Sequence, residues 1–348
     1  MAPVARALQA AGDLEPVVCL TGQHREMVEQ ILPAFEIRPD FNLDIMAENQ
    51  SPADVASAVF RELPAVIHRV EPAVVLVQGD TTTAMASAVV GHYARVPVGH
   101  VEAGLRTGQL FHPFPEEANR KVISAVTTLH FAPTARAVQN LAAENVTEGV
   151  FQTGNTVVDA LQHLLRTLEP ASQGDRRRIL VTAHRRESFG APIRRIFGAI
   201  RAIAERHEDV EVLYPVHPNP EVSGPAVAIL GSVPRVHLVP PMDYIEFIPA
   251  LAASYLALTD SGGLQEEAPV LGKPVLVMRE HTERPEAIEA GCAELVGTDE
   301  ERIVSRASAL LDDPETYARM SRPASPFGDG HAAERIVEAL RSWFQERK

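Results

Sequence analysis

Tyr255-Leu256-Ala257-Leu258-Thr259-Asp260-Ser261-Gly262-Gly263-Leu264-Gln265-Glu266-Glu267: a run of strand-forming residues meets an acid and a Ser-Gly-Gly turn, and a helix with acids in its first turns follows. Strand, glycine turn and helix in that order make one βα unit of a mainly parallel sheet. The glycines let a phosphate approach the backbone, and the helix start supplies N–H donors. The spacing is neither Gly-x-Gly-x-x-Gly nor a Walker loop, which disfavours NAD and ATP chemistry.

Outward from this unit the same alternation repeats. In the second half the strands Arg178–Thr182, Glu211–Val216, Val236–Val239, Tyr255–Thr259 and Pro274–Met278 are expected. In the first half Pro16–Leu20, Ala73–Gln78, Val96–Val101, Leu129–Ala132 and Val150–Thr153 read the same way. Helical patterns run between them, among them Asp54–Val70, Thr82–Tyr93, Ala135–Glu144, Ala191–Arg206 and Tyr244–Ala252. A turn-rich break at Leu168–Arg177 separates the halves. The fold expected is therefore α/β, with two doubly wound domains, residues 1–168 and 169–330, facing a central cleft where the ligand binds. The amphipathic helix from His331 to Phe344 is expected to pack back on the first domain. The chain opens in a helix, so the first domain lacks the strand with which such a sheet normally begins. That strand would be central, and a start clipped upstream of the helix is the favoured expectation.

Bulk composition agrees with a well-packed globular protein. The 348 residues are 45% hydrophobic and 22% charged, with a formal net charge of −14. An acidic chain has no basic face for phosphate neutralisation, which argues against nucleic acid as partner. No apolar run approaches the ~20 residues of a membrane span. The opening segment is too weakly apolar for a signal peptide, so a cytoplasmic enzyme is expected. Cys19 and Cys292 stand far apart in apolar surroundings and read as core thiols.

Several strand ends carry groups able to do chemistry. Gly79-Asp80-Thr81-Thr82-Thr83 follows one strand, and Gly99-His100-Val101-Glu102-Ala103-Gly104 closes the next. Asp80 and Glu102 thus converge on one edge, although a helix cap and an exposed loop would use the same residues. His100-Val101-Glu102 resembles the His-x-Glu of zinc deaminases, but no Pro-Cys-x-x-Cys accompanies it, so no metal is expected. Pro113-Phe114-Pro115-Glu116-Glu117-Ala118-Asn119-Arg120 opens a helix on which Glu116 and Arg120, four apart, share a face. In the second half Ala183-His184-Arg185-Arg186-Glu187 and Tyr214-Pro215-Val216-His217 place histidines and arginines at strand ends, a suitable set for an anionic ligand. Glu267 could accept two ribose hydroxyls, and Thr282-Glu283-Arg284-Pro285-Glu286 adds another arginine.

Taken together with Thr21-Gly22-Gln23-His24-Arg25-Glu26, these motifs resemble the non-hydrolysing UDP-N-acetylglucosamine 2-epimerases along essentially the whole chain. The resemblance implies two Rossmann-like domains arranged as in GT-B glycosyltransferases. It implies a homodimer that interconverts UDP-GlcNAc and UDP-ManNAc without cofactor or metal, supplying ManNAc for cell-surface polysaccharide. Asp80, Glu102 and Glu116 are then expected to move protons, with His184 assisting. Arg120, His217, Ser261, Gly262 and Gly263 are expected to hold the diphosphate, Glu267 the ribose, Phe247 or its neighbouring backbone the uracil, and Arg284 the ligand or the closed cleft. Gln23, His24 and Arg185 match motifs linked to an effector pocket. Family members begin with a strand, Gly-Thr-Arg-Pro-Glu and a lysine before the position matching Met1; without that segment weak catalysis is expected. A hydrolysing epimerase, a glycosyltransferase and a catalytically impaired UDP-sugar-binding protein remain alternatives.

Overall fold

The computed structural model describes residues 1–22, 31–47, 50–168 and 174–347. They form two compact units, Met1–Ala160 with Phe327–Lys348 and Leu161–Pro326. The chain passes from the first to the second inside the helix Thr156–Thr167 and returns at Pro326–Phe327.

In the first unit the strands are β1 (Cys19–Leu20), β2 (Phe41–Asn42), β3 (Val75–Gln78), β4 (Val98–Val101), β5 (Leu129–Ala132) and β6 (Val150–Gln152). They form two separate parallel sheets, one of order β3-β4-β5-β6 and the pair β1-β2. Between the pair and the free edge of β3 lies a cavity of about 420 Å³, lined among others by Cys19, Leu20, Leu63, Ile67 and Leu76. The Val75 amide bonds to the Pro97 carbonyl and the Gly79 amide to the Val101 carbonyl, so by strand alternation the backbone N–H and C=O groups of Leu76 and Gln78 point away from β4. The described chain begins with the helix Ala2–Ala11, not a strand. That helix packs with Val101, Leu129 and Phe131 and with the helix Ala332–Gln345 into one apolar cluster.

Local signals explain the helices that frame the sheet. Pro52–Val70 starts with a reciprocal capping box between Ser51 and Asp54 and a proline in its first turn, where a missing N–H costs nothing. Thr82–Tyr93 is capped by the Thr81 hydroxyl, which accepts from the Ala84 amide. Gly104, at φ +87°, would place a Cβ 2.2 Å from the Ala137 carbonyl oxygen. Gly104→Ala is therefore expected to destabilise by more than the roughly 1–3 kcal/mol of a strained backbone alone, read as a lowered urea midpoint. An unchanged midpoint would mean that the helix Ala135–Ala143 yields.

The second unit carries β7 (Arg177–Thr182), β8 (Val210–Pro215), β9 (Val236–Val239), β10 (Leu256–Thr259), β11 (Val275–Val277) and β12 (Ala293–Leu295). All its strands are parallel, in the order β12-β11-β10-β7-β8-β9. The order reverses between β7 and β10, which makes their carboxyl ends the topological switch point where such sheets bind ligands. Its core joins Ile179, Val181 and Leu258 to the helix Ala191–Arg206 through Ile196, Phe197 and Ile200.

The strands expected from sequence are found with ends shifted by at most two residues, except that Pro16–Leu20 shrinks to Cys19–Leu20, three residues shorter at its start. β2 and β12, two and three residues long, are too short for a period-two signal. Cys19 and Cys292 are free thiols, and burial pushes the Cys19 thiol up to about 11. Among the described residues no helix is long and apolar enough to cross a membrane.

Candidate active site

The residues singled out from sequence fall into two clusters, one in each unit. In the first, Asp80 follows β3 and Glu102 follows β4, neighbouring strands paired through Gln78 and Val101. Gly79 and Glu102 both have positive φ, +73° and +67°, which turns the chain sharply after each strand. Buried His100 takes the Gly79 carbonyl through Nε2 at 2.8 Å, and burial pushes its pKa down to about 4. The imidazole is therefore a neutral donor that fixes the turn before Asp80.

Arg120 reaches Asp80 Oδ2 with Nε at 3.1 Å and Nη2 at 2.6 Å, and Glu117 Oε2 with Nη1 at 2.9 Å. Its side chain is 4% exposed and that of Glu117 0%. The guanidinium thus spends its fork on two carboxylates within its own unit. The partner on the helix is Glu117, three residues away, instead of the Glu116 expected from the i,i+4 spacing. Glu117 also accepts the Thr107 and Gly108 amides, so it ties the preceding loop to the helix start. That loop contains two cis peptide bonds, His112–Pro113 and Phe114–Pro115. Asn119 donates to the Asp80 carbonyl at 2.9 Å, holding its backbone as well. Glu116, freed from Arg120, has a buried Oε2 with no hydrogen-bond partner among the described residues.

Glu102 is held by two neutral amides, from Asn155 at 2.9 Å on Oε1 and from Gln78 at 3.3 Å on Oε2. The Met1 α-amino group donates to the other end of the Gln78 amide. Nothing local marks Asn155 or Gln78, whose partner Glu102 stands 53 and 24 residues away. Glu117 pairs locally, with Arg120 and the Thr107 and Gly108 amides, and only packing selects it over Glu116.

In the second unit, His184 and Asp260 follow β7 and β10 at the switch point. Fully buried Asp260 accepts the His184 and Arg185 amides at 2.6 and 2.8 Å, and its other oxygen lies 3.3 Å from His184 Nδ1. Burial lowers the His184 pKa, partly opposed by Asp260. The ring stacks on His217 with centroids 5.6 Å apart and planes 10° from parallel. His217 Nδ1 accepts the Asn219 amide, which leaves Nε2 as its free end. The Arg185 Nε is buried without a partner among the described residues. Gln23 and His24 lie outside the described residues.

The Ser-Gly-Gly turn after β10 is tightly packed. The Ser261 amide donates to the Thr259 hydroxyl, and a Cβ on Gly262 would meet Arg284 Nη1 at 2.6 Å. Arg284 is paired with Glu266 and Glu283, so it braces this turn from the side. Half-buried Phe247 sits on the helix Tyr244–Ala252. The Tyr244 hydroxyl donates to Glu267 Oε1 at 2.6 Å, and burial raises the Glu267 pKa above its ordinary range. A raised acid contributes stability fully present below its unfolded value and lost as pH climbs through the folded one. Glu267→Gln is accordingly expected to raise the thermal midpoint of the ligand-free protein more at neutral pH than near pH ~4. A difference that does not change with pH would show that Glu267 does not titrate on unfolding.

Comparison with known proteins adds independent findings. The family model described as UDP-N-acetylglucosamine 2-epimerase matches residues 6–341. The chain is 48% identical over 353 residues to the UDP-N-acetylglucosamine 2-epimerase of Bacillus subtilis strain 168, covering 100% of this chain and 93% of that protein. It is 47% identical over 356 residues to that of Escherichia coli K12, covering 98% and 95% respectively. The Neisseria meningitidis UDP-GlcNAc 2-epimerase bound to UDP-GlcNAc superposes with a TM-score of 0.95 at 42% identity, over 98% of this chain and 96% of that one. The Methanocaldococcus jannaschii enzyme in complex with UDP-GlcNAc and UDP does so with a TM-score of 0.85 at 30% identity, covering 98% and 95%.

Proposed function

Since the chain belongs to the UDP-N-acetylglucosamine 2-epimerase family, we propose that it is an isomerase that inverts carbon 2 of UDP-GlcNAc to give UDP-ManNAc, reversibly. The observation that carries this reading is the trio of carboxylates in the first unit. Asp80 and Glu102 stand at neighbouring strand ends under separate donors, and Glu116 keeps a buried oxygen without a partner. Inversion through proton removal and return needs more than one acid/base group, in environments that set them apart.

In the proposed sequence a carboxylate takes the proton from carbon 2. The electron pair forms the carbon 1–carbon 2 double bond, and the bond from carbon 1 to the diphosphate oxygen breaks, releasing UDP and 2-acetamidoglucal. UDP then adds back to carbon 1 while another acid protonates the opposite face of carbon 2. The chain's part is to position these groups and to stabilise charge on the leaving diphosphate. His184 with His217, Ser261, Gly262 and Gly263 would serve the diphosphate, Glu267 the ribose and Phe247 the uracil. Arg120 acts within this reading by holding Asp80, and Arg284 by bracing the glycine turn. The first unit then carries proton transfer and the second UDP binding, in a cytoplasmic homodimer with Arg185, Gln23 and His24 at an effector pocket.

Proton NMR of UDP-GlcNAc with the protein in deuterium oxide tests the reading. UDP-ManNAc carrying deuterium at carbon 2 is the expected product. Release of UDP with free ManNAc would instead make the chain a hydrolysing enzyme, and binding without any exchange would overturn catalysis altogether.

A further inference from the structure

Among the described residues Glu102 differs from Asp80, which Arg120 holds, in having no cationic side chain among its hydrogen-bond donors: both are neutral carboxamides, Asn155 on one oxygen and Gln78 on the other. Asn155 is the more deeply fixed, at 1% exposure. Its amide N–H donates to the Phe327 carbonyl at 2.6 Å. Its side-chain oxygen accepts the Val157 amide at 3.2 Å, at the start of the helix Thr156–Thr167. With the oxygen spent on the helix, the NH₂ group is directed at Glu102 Oε1, 2.9 Å away. The side chain therefore cannot flip without losing both bonds. Gly79 completes the seat, since a Cβ there would stand 3.3 Å from Glu102 Oε2.

We infer that Asn155 is a positioning residue that sets the Glu102 carboxylate for proton transfer, in an inference that rests on the epimerase reading above. A hydrogen bond to a carboxylate restrains its orientation. Asn155 does this from a helix start that also belongs to the packing of the C-terminal segment, so its place is rigid. Gln78 supplies a longer second contact from the end of β3, and its amide also reaches the Thr156 hydroxyl at 3.3 Å.

Asn155→Ser separates positioning from structure. Serine is as good a helix cap as asparagine and keeps an oxygen for the Val157 amide, but it is too short to place a donor on Glu102 and adds no charge beside it. The expected result is a thermal midpoint close to the parent's and a KM for UDP-GlcNAc within about twofold, with kcat lowered roughly 10- to 100-fold, the worth of a charge-assisted hydrogen bond. Asn155→Ala, which loses the cap as well, should lower kcat and the midpoint together. A second readout needs no turnover: in ¹⁵N-resolved spectra of the ligand-free protein the Asn155 carboxamide should resonate downfield and move upfield in Glu102→Gln. Parent-like kcat in Asn155→Ser, or an Asn155 carboxamide signal indifferent to Glu102→Gln, would overturn the inference. Absence of deuterium exchange in the parent itself would overturn the epimerase reading, and the spectroscopic arm would still decide the Asn155–Glu102 contact.

Discussion

Asp80→Asn should lower kcat for epimerisation by about 100-fold or more, the usual scale for loss of an acid/base group, while UDP affinity changes little. The structure makes this substitution a clean one. Asparagine keeps an oxygen where Arg120 donates at 2.6 Å, and the Asn119 bond goes to the Asp80 main chain, so both anchors survive. What disappears is the carboxylate. Deuterium uptake at carbon 2, followed with UDP titration by calorimetry, separates the possibilities. If binding and turnover fall by the same factor, Asp80 acts as scaffold and the proton is handled elsewhere.

Arg120→Met should cost about 3–5 kcal/mol of folding stability, the range for removing one partner of a buried ion pair. Glu117 is fully buried and would keep only the Thr107 and Gly108 amides, each 3.1 Å away. Asp80, more exposed, would lose its two guanidinium bonds and its fixed orientation. The free energy is read from urea denaturation at neutral pH. Adding Glu117→Gln should recover part of the loss, since the amide carries no charge and still offers one acceptor. A loss below about 1 kcal/mol, the scale of an exposed pair, would mean that water reaches the cluster and the ion pair contributes little.

Much of this architecture was legible along the chain because it rests on local signals. The β-branched runs of β3, β4, β7 and β10 end in Gly79-Asp80, Glu102, His184 and Asp260, and a parallel strand followed by a helix leaves its carboxyl end toward the ligand side. Gly262-Gly263 announces a tight turn from a few consecutive residues. Strand order was not legible. β7 lies beside β10, and this adjacency brings Asp260 to the His184 and Arg185 amides across 76 and 75 residues of sequence.

The division is sharpest at Glu116-Glu117. Sequence identifies both as acids in the first turn of one helix, within reach of Arg120 by either spacing. Only the packed structure buries Glu117 against Arg120 and the Thr107 and Gly108 amides and leaves Glu116 with an unpartnered oxygen. Glu102 shows the same limit, because its amide partner Asn155 stands 53 residues away. Residue type and short-range spacing determine which groups can carry a charge or donate a proton, and where elements begin. Which of them are paired, oriented or left free depends on contacts between distant segments, and those exist only once the sheets and helices have packed.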